Sequence, residues 1–131
     1  MTEETLLAFD YGTKKIGVAI GNTLTRQARP LEILTPITRQ QRFAAIGRLL
    51  AEWQPQRAIV GLPLTMEGGE QYASLRCRRF AHQLHGRFGI MVELVDERGS
   101  SLEAQDILGS NAADDAVAAA VILQRYFDTL G

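Results

Sequence analysis

The hydrophobic period of this chain changes near residue 40, and that change restricts what the chain can fold into. Ahead of it stand three short apolar runs separated by turn residues. Residues 5–10 (TLLAFD) stop at an acid, and Tyr11-Gly12-Thr13-Lys14 reads as a turn in which Gly12 supplies the permissive backbone. Residues 15–21 (KIGVAIG) are rich in Val and Ile and carry two glycines that weaken any helix. They read as a second strand, close enough to the first for a hairpin. Residues 31–37, just after Pro30, make a third strand. Beyond residue 40 the period turns helical. Phe43, Ile46, Leu49, Leu50 and Trp53 recur at helical spacing until Gln54-Pro55 ends the segment. A short apolar strand (58–60), a helix (70–88) stopped by Gly89 and an alternating strand (90–95) follow. Ser100 or Ser101 caps a short helix through Leu108, Gly109-Ser110-Asn111 breaks it, and residues 114–127 form the last helix.

Strands joined by tight turns pair antiparallel, and strands alternating with helices pair in parallel through crossovers. The chain therefore predicts an α/β fold. Its mixed five-stranded sheet would have three antiparallel leading strands and two parallel ones, with helices on both faces. This is the element order of the RNase H-like fold. A length of 131 residues fits a single domain, 1–131, with one core. With 46% hydrophobic and 22% charged residues the chain is not of a disordered class. Its longest apolar run, residues 116–123, falls well short of the ~20 residues a membrane helix needs. The acidic start Met1-Thr2-Glu3-Glu4-Thr5 does not read as a signal peptide, and the single cysteine, Cys77, forms no internal disulfide. Both point to the cytoplasm. A net charge of −1 speaks against a general nucleic-acid coat protein. It is compatible with an enzyme whose acids and bases cancel in the sum.

Asp10 ends a strand ahead of Gly12, at the carboxyl edge where ligands of α/β sheets gather; an aspartate there also serves turn hydrogen bonds. Asp96 and Glu97 follow the last strand. Alternation sends them to opposite faces, so one of the two can join Asp10, while Arg98 can neutralise an exposed acid. Asp115 shares a stripe with Ala119, Ile122 and Tyr126 on a helix that is apolar nearly all round. A carboxylate there needs a donor, a cation or a metal, unless it caps the helix, a task Asp114 can also perform. Three acids at three element ends make an oxygen-only set suited to Mg²⁺ or Mn²⁺ and not to Zn²⁺. Lys14, Lys15, Arg26 and Arg29 near the first hairpin, and Arg76, Arg78, Arg79 and Arg87 along the second long helix, are groups that could meet phosphates. His82 and His85 have no metal-ligand partners in the pattern, Cys77 has no evident base, and there is no Walker-type loop.

Four blocks resemble one family. Phe9-Asp10-Tyr11-Gly12-Thr13-Lys14-Lys15-Ile16-Gly17-Val18-Ala19 is similar to the opening of the YqgF/RuvX family. Val60-Gly61-Leu62-Pro63-Leu64 with Gly68 resembles its central loop, and Asp96-Glu97-Arg98 with Ser101, Glu103 and Ala104 its third block. Asp115, Ala118-Ala119 and Ile122-Leu123-Gln124 resemble its last helix. The blocks occur in order over nearly the whole chain. The resemblance implies an RNase H-like nuclease, a hydrolase assigned both to maturing the 5′ end of pre-16S rRNA in ribosome biogenesis and to Holliday-junction resolution in DNA recombination. It implies Asp10, Glu97 and Asp115 as catalytic, metal-holding acids for Mg²⁺ or Mn²⁺, with Asp96 the lesser alternative to Glu97. Lys14, Arg76, Arg79 and Arg98 are the expected substrate contacts. The expected partner is nucleic acid, structured RNA ahead of junction DNA, with ribosomal precursor particles next; the chain would act as a monomer or homodimer, away from membranes.

Two departures from the family pattern stand out. Gly99 replaces a leucine, and Leu108 to Asp114 carries no basic residue where the family has a Lys/Arg-rich segment. The second motivates a rival reading, a non-catalytic nucleic-acid or ribosome-assembly module. A third reading, a sugar-kinase-like or actin-like ATPase, follows from Asp10-Tyr11-Gly12-Thr13, but those proteins close two such domains over ATP.

Overall fold

The computed structural model describes residues 3–98 and 115–130. Strands β1 (Thr5–Tyr11), β2 (Ile16–Asn22) and β3 (Ala28–Leu34) precede helix α1 (Arg39–Trp53). Strand β4 (Arg57–Leu62), helix α2 (Tyr72–Phe88), strand β5 (Met91–Asp96) and helix α3 (Asp115–Thr129) follow. The strands form one sheet in the order β3-β2-β1-β4-β5. β1 pairs antiparallel with β2, and β2 with β3; β1 pairs parallel with β4, and β4 with β5. The mixed five-stranded RNase H-like sheet expected from the periodicity is the one observed.

Period-two alternation along β1 divides the core. Leu7 and Phe9 face α1 and α2, packing with Val18, Phe43, Ile46, Val60, Phe80 and Leu84. Leu6 and Ala8 face α3, packing with Ala19, Ile59, Ala119, Ile122 and Phe127. The second face is built from small residues, so α3 lies close to the sheet. A Cβ added at Gly17 would overlap the backbone carbonyl of Asp115, and one at Gly21 would come 2.8 Å from the Phe127 ring.

Local signals set the helix ends. Thr38 caps α1 in a capping box: its Oγ1 accepts from the Gln41 amide at 3.1 Å, and Gln41 Oε1 accepts from the Thr38 amide at 3.2 Å. Gly89, at φ 68°, closes α2 with its amide donating to the His85 carbonyl at 2.8 Å.

Two expectations are corrected. The third strand lies three residues earlier than residues 31–37. Pro36 cannot extend a ladder, whereas Pro30 is accommodated because β3 is an edge strand and the β2–β3 register shifts at Val18/Ala19, beside Pro30. Tyr11 is the last residue of β1 and not part of the turn, paired across the sheet with Ile16. The short helix expected through Leu108, the break at Gly109-Ser110-Asn111 and the capping role of Asp114 lie outside the described residues.

Candidate active site

Asp10 sits one residue from the carboxyl end of β1, opposite Gly17 of β2 and on the face that carries Leu6 and Ala8. Its side chain is therefore directed toward α3, and Gly17 leaves room for the first turn of that helix. Asp115, the first residue of α3, is brought close enough for its charge to act on Asp10. Glu97 follows the end of β5, and its amide donates to the Leu62 carbonyl at 3.1 Å, extending the β4–β5 ladder by one bond. Alternation puts Glu97 on the same face as Val95, against α3. A Cβ at Gly61 would come 3.0 Å from the Glu97 carboxyl carbon and 2.5 Å from Ile122 Cδ1. The missing side chain at Gly61 is what gives the Glu97 carboxylate its space.

The Asp10 and Glu97 carboxyl groups are hydrogen-bonded to each other, and Asp10 is pushed up to about 6. Burial is the largest cause. The bond with Glu97 opposes it, and the negative charge of Asp115 raises Asp10 further. Asp96 lies on the other face and is taken up locally. The Arg98 guanidinium donates to Asp96 Oδ2 through Nε at 2.8 Å, and the Arg98 amide donates to Oδ1 at 2.9 Å. This pairing holds the Asp96 carboxyl below its usual range.

Arg98 also donates to the Met66 carbonyl at 2.9 Å. Expected as a substrate contact, it is found tying β5 to the β4–α2 loop and paired with Asp96. Lys14 is exposed in the β1–β2 turn, Arg79 is exposed on α2, and Arg76 is half-buried with its guanidinium 5.5 Å from the centre of the Tyr11 ring. Arg78 is paired with Glu70 at 2.8 Å. The structure thus brings Asp10, Glu97 and Asp115 to one edge, leaves Asp96 and Arg98 bound to each other, and places Lys14 in the turn beside that edge. Arg42 and Tyr72, absent from the sequence reading, also lie near Tyr11 and Arg76; Arg42 sits 5.3 Å from the Tyr11 ring centre. No sequence spacing links Arg42 to Tyr11, since the fold alone joins them.

Among the described residues no three His, Cys, Asp or Glu side chains are grouped closely enough to hold a metal ion as they stand. The donor chemistry nevertheless suits a hard divalent cation. The Asp10 and Glu97 carboxyls interact directly, and a third carboxylate stands within Coulombic reach. His82 and His85 are exposed on α2, and His85 Nδ1 is 3.0 Å from the Ile90 carbonyl. Neither joins the acids, so no histidine offers zinc a nitrogen ligand there.

A five-stranded mixed sheet of this strand order with helices on both faces is the RNase H-like fold. The same fold occurs in the RuvC protein of Thermus thermophilus, solved with a Holliday junction substrate. That structure superposes with a TM-score of 0.60 at 17% identity, over 97% of this chain and 95% of the other. Residues 4–129 match the family described as "RuvX: Holliday junction resolvase", and the chain belongs to that family. A relative from Bordetella parapertussis, 77% identical over 99% of this chain and 98% of its own, bears the name "Putative pre-16S rRNA nuclease". A relative from Paraburkholderia phytofirmans has the same name at 52% identity, over 98% of this chain and 90% of its own. No described helix is long and apolar enough to cross a membrane.

Proposed function

We propose that the chain is a divalent-metal-dependent endonuclease of the cytoplasm that hydrolyses phosphodiester bonds in the 5′-end maturation of pre-16S rRNA. The observation that carries this reading is the hydrogen-bonded Asp10–Glu97 pair with Asp115 beside it at the sheet's carboxyl edge. The names of the relatives support rRNA as the substrate. Asp10, Glu97 and Asp115 would hold Mg²⁺ or Mn²⁺, which when bound supplies a water nucleophile and stabilises the leaving oxygen. Asp10 is presented by a rigid strand between two paired neighbours, and Glu97 is fixed by its ladder bond to Leu62. Asp115 is set by the close seat of α3 on Gly17. Lys14, exposed in the adjoining turn, offers a cation to the phosphate.

Resolution of DNA junctions is the second reading, favoured by the description of the matching family. A cleavage assay at equal protein concentration decides between them. The substrates are a pre-16S 5′ fragment, a four-way DNA junction and single-stranded controls, each with Mg²⁺, Mn²⁺ or EDTA. Cleavage of the RNA that needs metal and falls more than about a hundredfold in Asp10→Asn is expected, since charge stabilisation at such sites is worth several kcal/mol. Preference for the junction would select the second reading. Full activity in Asp10→Asn would remove the acid site altogether.

A further inference from the structure

Beside the acids, on the opposite face of the sheet, lies a basic and aromatic cluster that the hydrolysis does not use. Tyr11 follows Asp10 and points toward α1 and α2. Its ring stacks on Phe80 at 4.3 Å between centroids. Two guanidiniums approach the same ring, Arg42 of α1 at 5.3 Å and Arg76 of α2 at 5.5 Å. Arg76 also lies 5.8 Å from the centre of the Tyr72 ring, which is 78% exposed.

Several arginines of this protein are paired with carboxylates. Arg48 pairs with Glu32, Arg57 with Glu4, Arg78 with Glu70 and Arg98 with Asp96. Among the described residues no carboxylate pairs with Arg42 or Arg76, although both are half-buried and both approach the Tyr11 ring. Two cations held together on one aromatic ring without a counter-charge make a place for an anion. The exposed ring beside them offers a flat apolar surface.

The cluster and the acids are near neighbours. The Cys77 sulfur lies 3.9 Å from the Tyr11 carbonyl oxygen, and the charges of Glu97, Asp10 and Arg76 all act on that thiol.

We propose that Tyr11, Arg42, Arg76 and Tyr72 form a grip for single-stranded nucleic acid, the two guanidiniums taking a backbone phosphate and Tyr72 stacking a base. Tyr11 is the positioning residue that holds both arginines. A duplex keeps its bases stacked inside, so an exposed ring selects an unpaired one. The grip deepens the nuclease reading by assigning the strand that flanks the cut to the α1–α2 side, and it rests on that reading for its purpose. It does not rest on it for its test.

Binding of a fluorescein-labelled single-stranded RNA, and of DNA of the same sequence, is measured by anisotropy in EDTA across a salt series. Arg42→Gln with Arg76→Gln should weaken binding and flatten the slope of log K against log salt by about 0.7, the contribution of one neutralised single-strand phosphate. Tyr72→Ala should weaken it roughly tenfold or more at constant slope. Arg48→Gln, an arginine already paired with Glu32, should have little effect. Arg42→Lys with Arg76→Lys should restore the slope, and it carries the charge test if the glutamine pair does not fold.

Wild-type affinity in Tyr72→Ala, or a glutamine pair no weaker than Arg48→Gln, would overturn the grip. Metal-dependent cleavage by the wild type together with such a result leaves the nuclease and removes the grip. Loss of binding in the variants of a wild type that cuts nothing leaves the grip and removes the nuclease.

Discussion

The thiol of Cys77 is held beneath the strand end that presents Asp10, and its chemistry follows from that position. It is 1% exposed and is pushed up to about 12, mainly by burial, then by the negative charges of Glu97 and Asp10, with Arg76 opposing. Native protein should therefore resist iodoacetamide at pH 8 and react only as it unfolds, because the thiolate is the nucleophile. The sign of the stability effect follows. The folded value of about 12 lies above the ordinary 9.0, so the thiol's contribution is intact below pH 9 and is lost as pH rises from there toward 12. Between pH 8 and pH 10, Cys77→Ala should lose about 1.4 kcal/mol less than the wild type in urea unfolding. Equal losses would show that the thiol is not protected. At this scale the sequence was readable where alternation governs. Asp96 and Glu97 were expected on opposite faces, and they are. The space that Gly61 leaves for the Glu97 carboxylate is a long-range fact that no local pattern carries. The reach of Arg98 to the Met66 carbonyl is likewise illegible, since it depends on the path of a loop about thirty residues away.

Among the elements, α3 is the one whose seat decides whether three acids form one site. It rests on Gly17 and Gly21 of β2 and on Ala8 and Ala19 of the sheet, and a side chain at Gly17 meets the backbone of Asp115 and Ala116, which cannot rotate away. Gly17→Ala should cost about 1–3 kcal/mol through overpacking. It should also lower cleavage at least tenfold at temperatures where the variant is fully folded, because the first turn of α3 must lift and carry Asp115 with it. Gly86→Ala is the matched control. Its Cβ meets nothing within 4 Å on the exposed side of α2, so it should gain up to about 1 kcal/mol and leave cleavage unchanged. Thermal melts and turnover measured on both variants check the pair; a Gly17→Ala enzyme with normal turnover would mean that Asp115 is not needed where it stands. The helices were legible in the chain because their apolar spacing is regular and their stops, Gln54-Pro55 and Gly89, are strong. β3 was displaced by three residues because Pro30 was read as a boundary. Only the sheet order reveals that β3 is an edge strand, where a proline's missing donor costs nothing.

Taken whole, the molecule separates its charges across one sheet edge, with acids on the α3 face and open arginines on the α1–α2 face, and a net charge of −1 conceals both. Composition could not show this arrangement, since residues 10, 97 and 115 converge only through the crossovers, as do residues 11, 42 and 76. The acid side is an unfavourable gathering of like charge in a half-buried place, and folding sustains it because the rest of the core is well packed. Two opposite responses follow. In EDTA, Asp10→Asn should melt above the wild type, since an amide keeps the shape of the carboxyl and removes one member of the repelling set. On adding Mg²⁺ the order should reverse. A ligand present at a hundred times its Kd stabilises the folded state by about 2.7 kcal/mol, on the order of 10 °C for a domain of this size, and only the wild type retains the full set of acids to bind it. Asp96→Asn, whose carboxylate belongs to Arg98, should instead lose stability in both conditions and keep the full response to Mg²⁺. Melting curves of the three proteins, with and without the metal, read all of this without any substrate. A wild type and an Asp10→Asn variant that rise equally with Mg²⁺ would place the cation elsewhere, and an Asp10→Asn variant that melts lower in EDTA would show that the carboxyl's bond to Glu97 outweighs the repulsion around it.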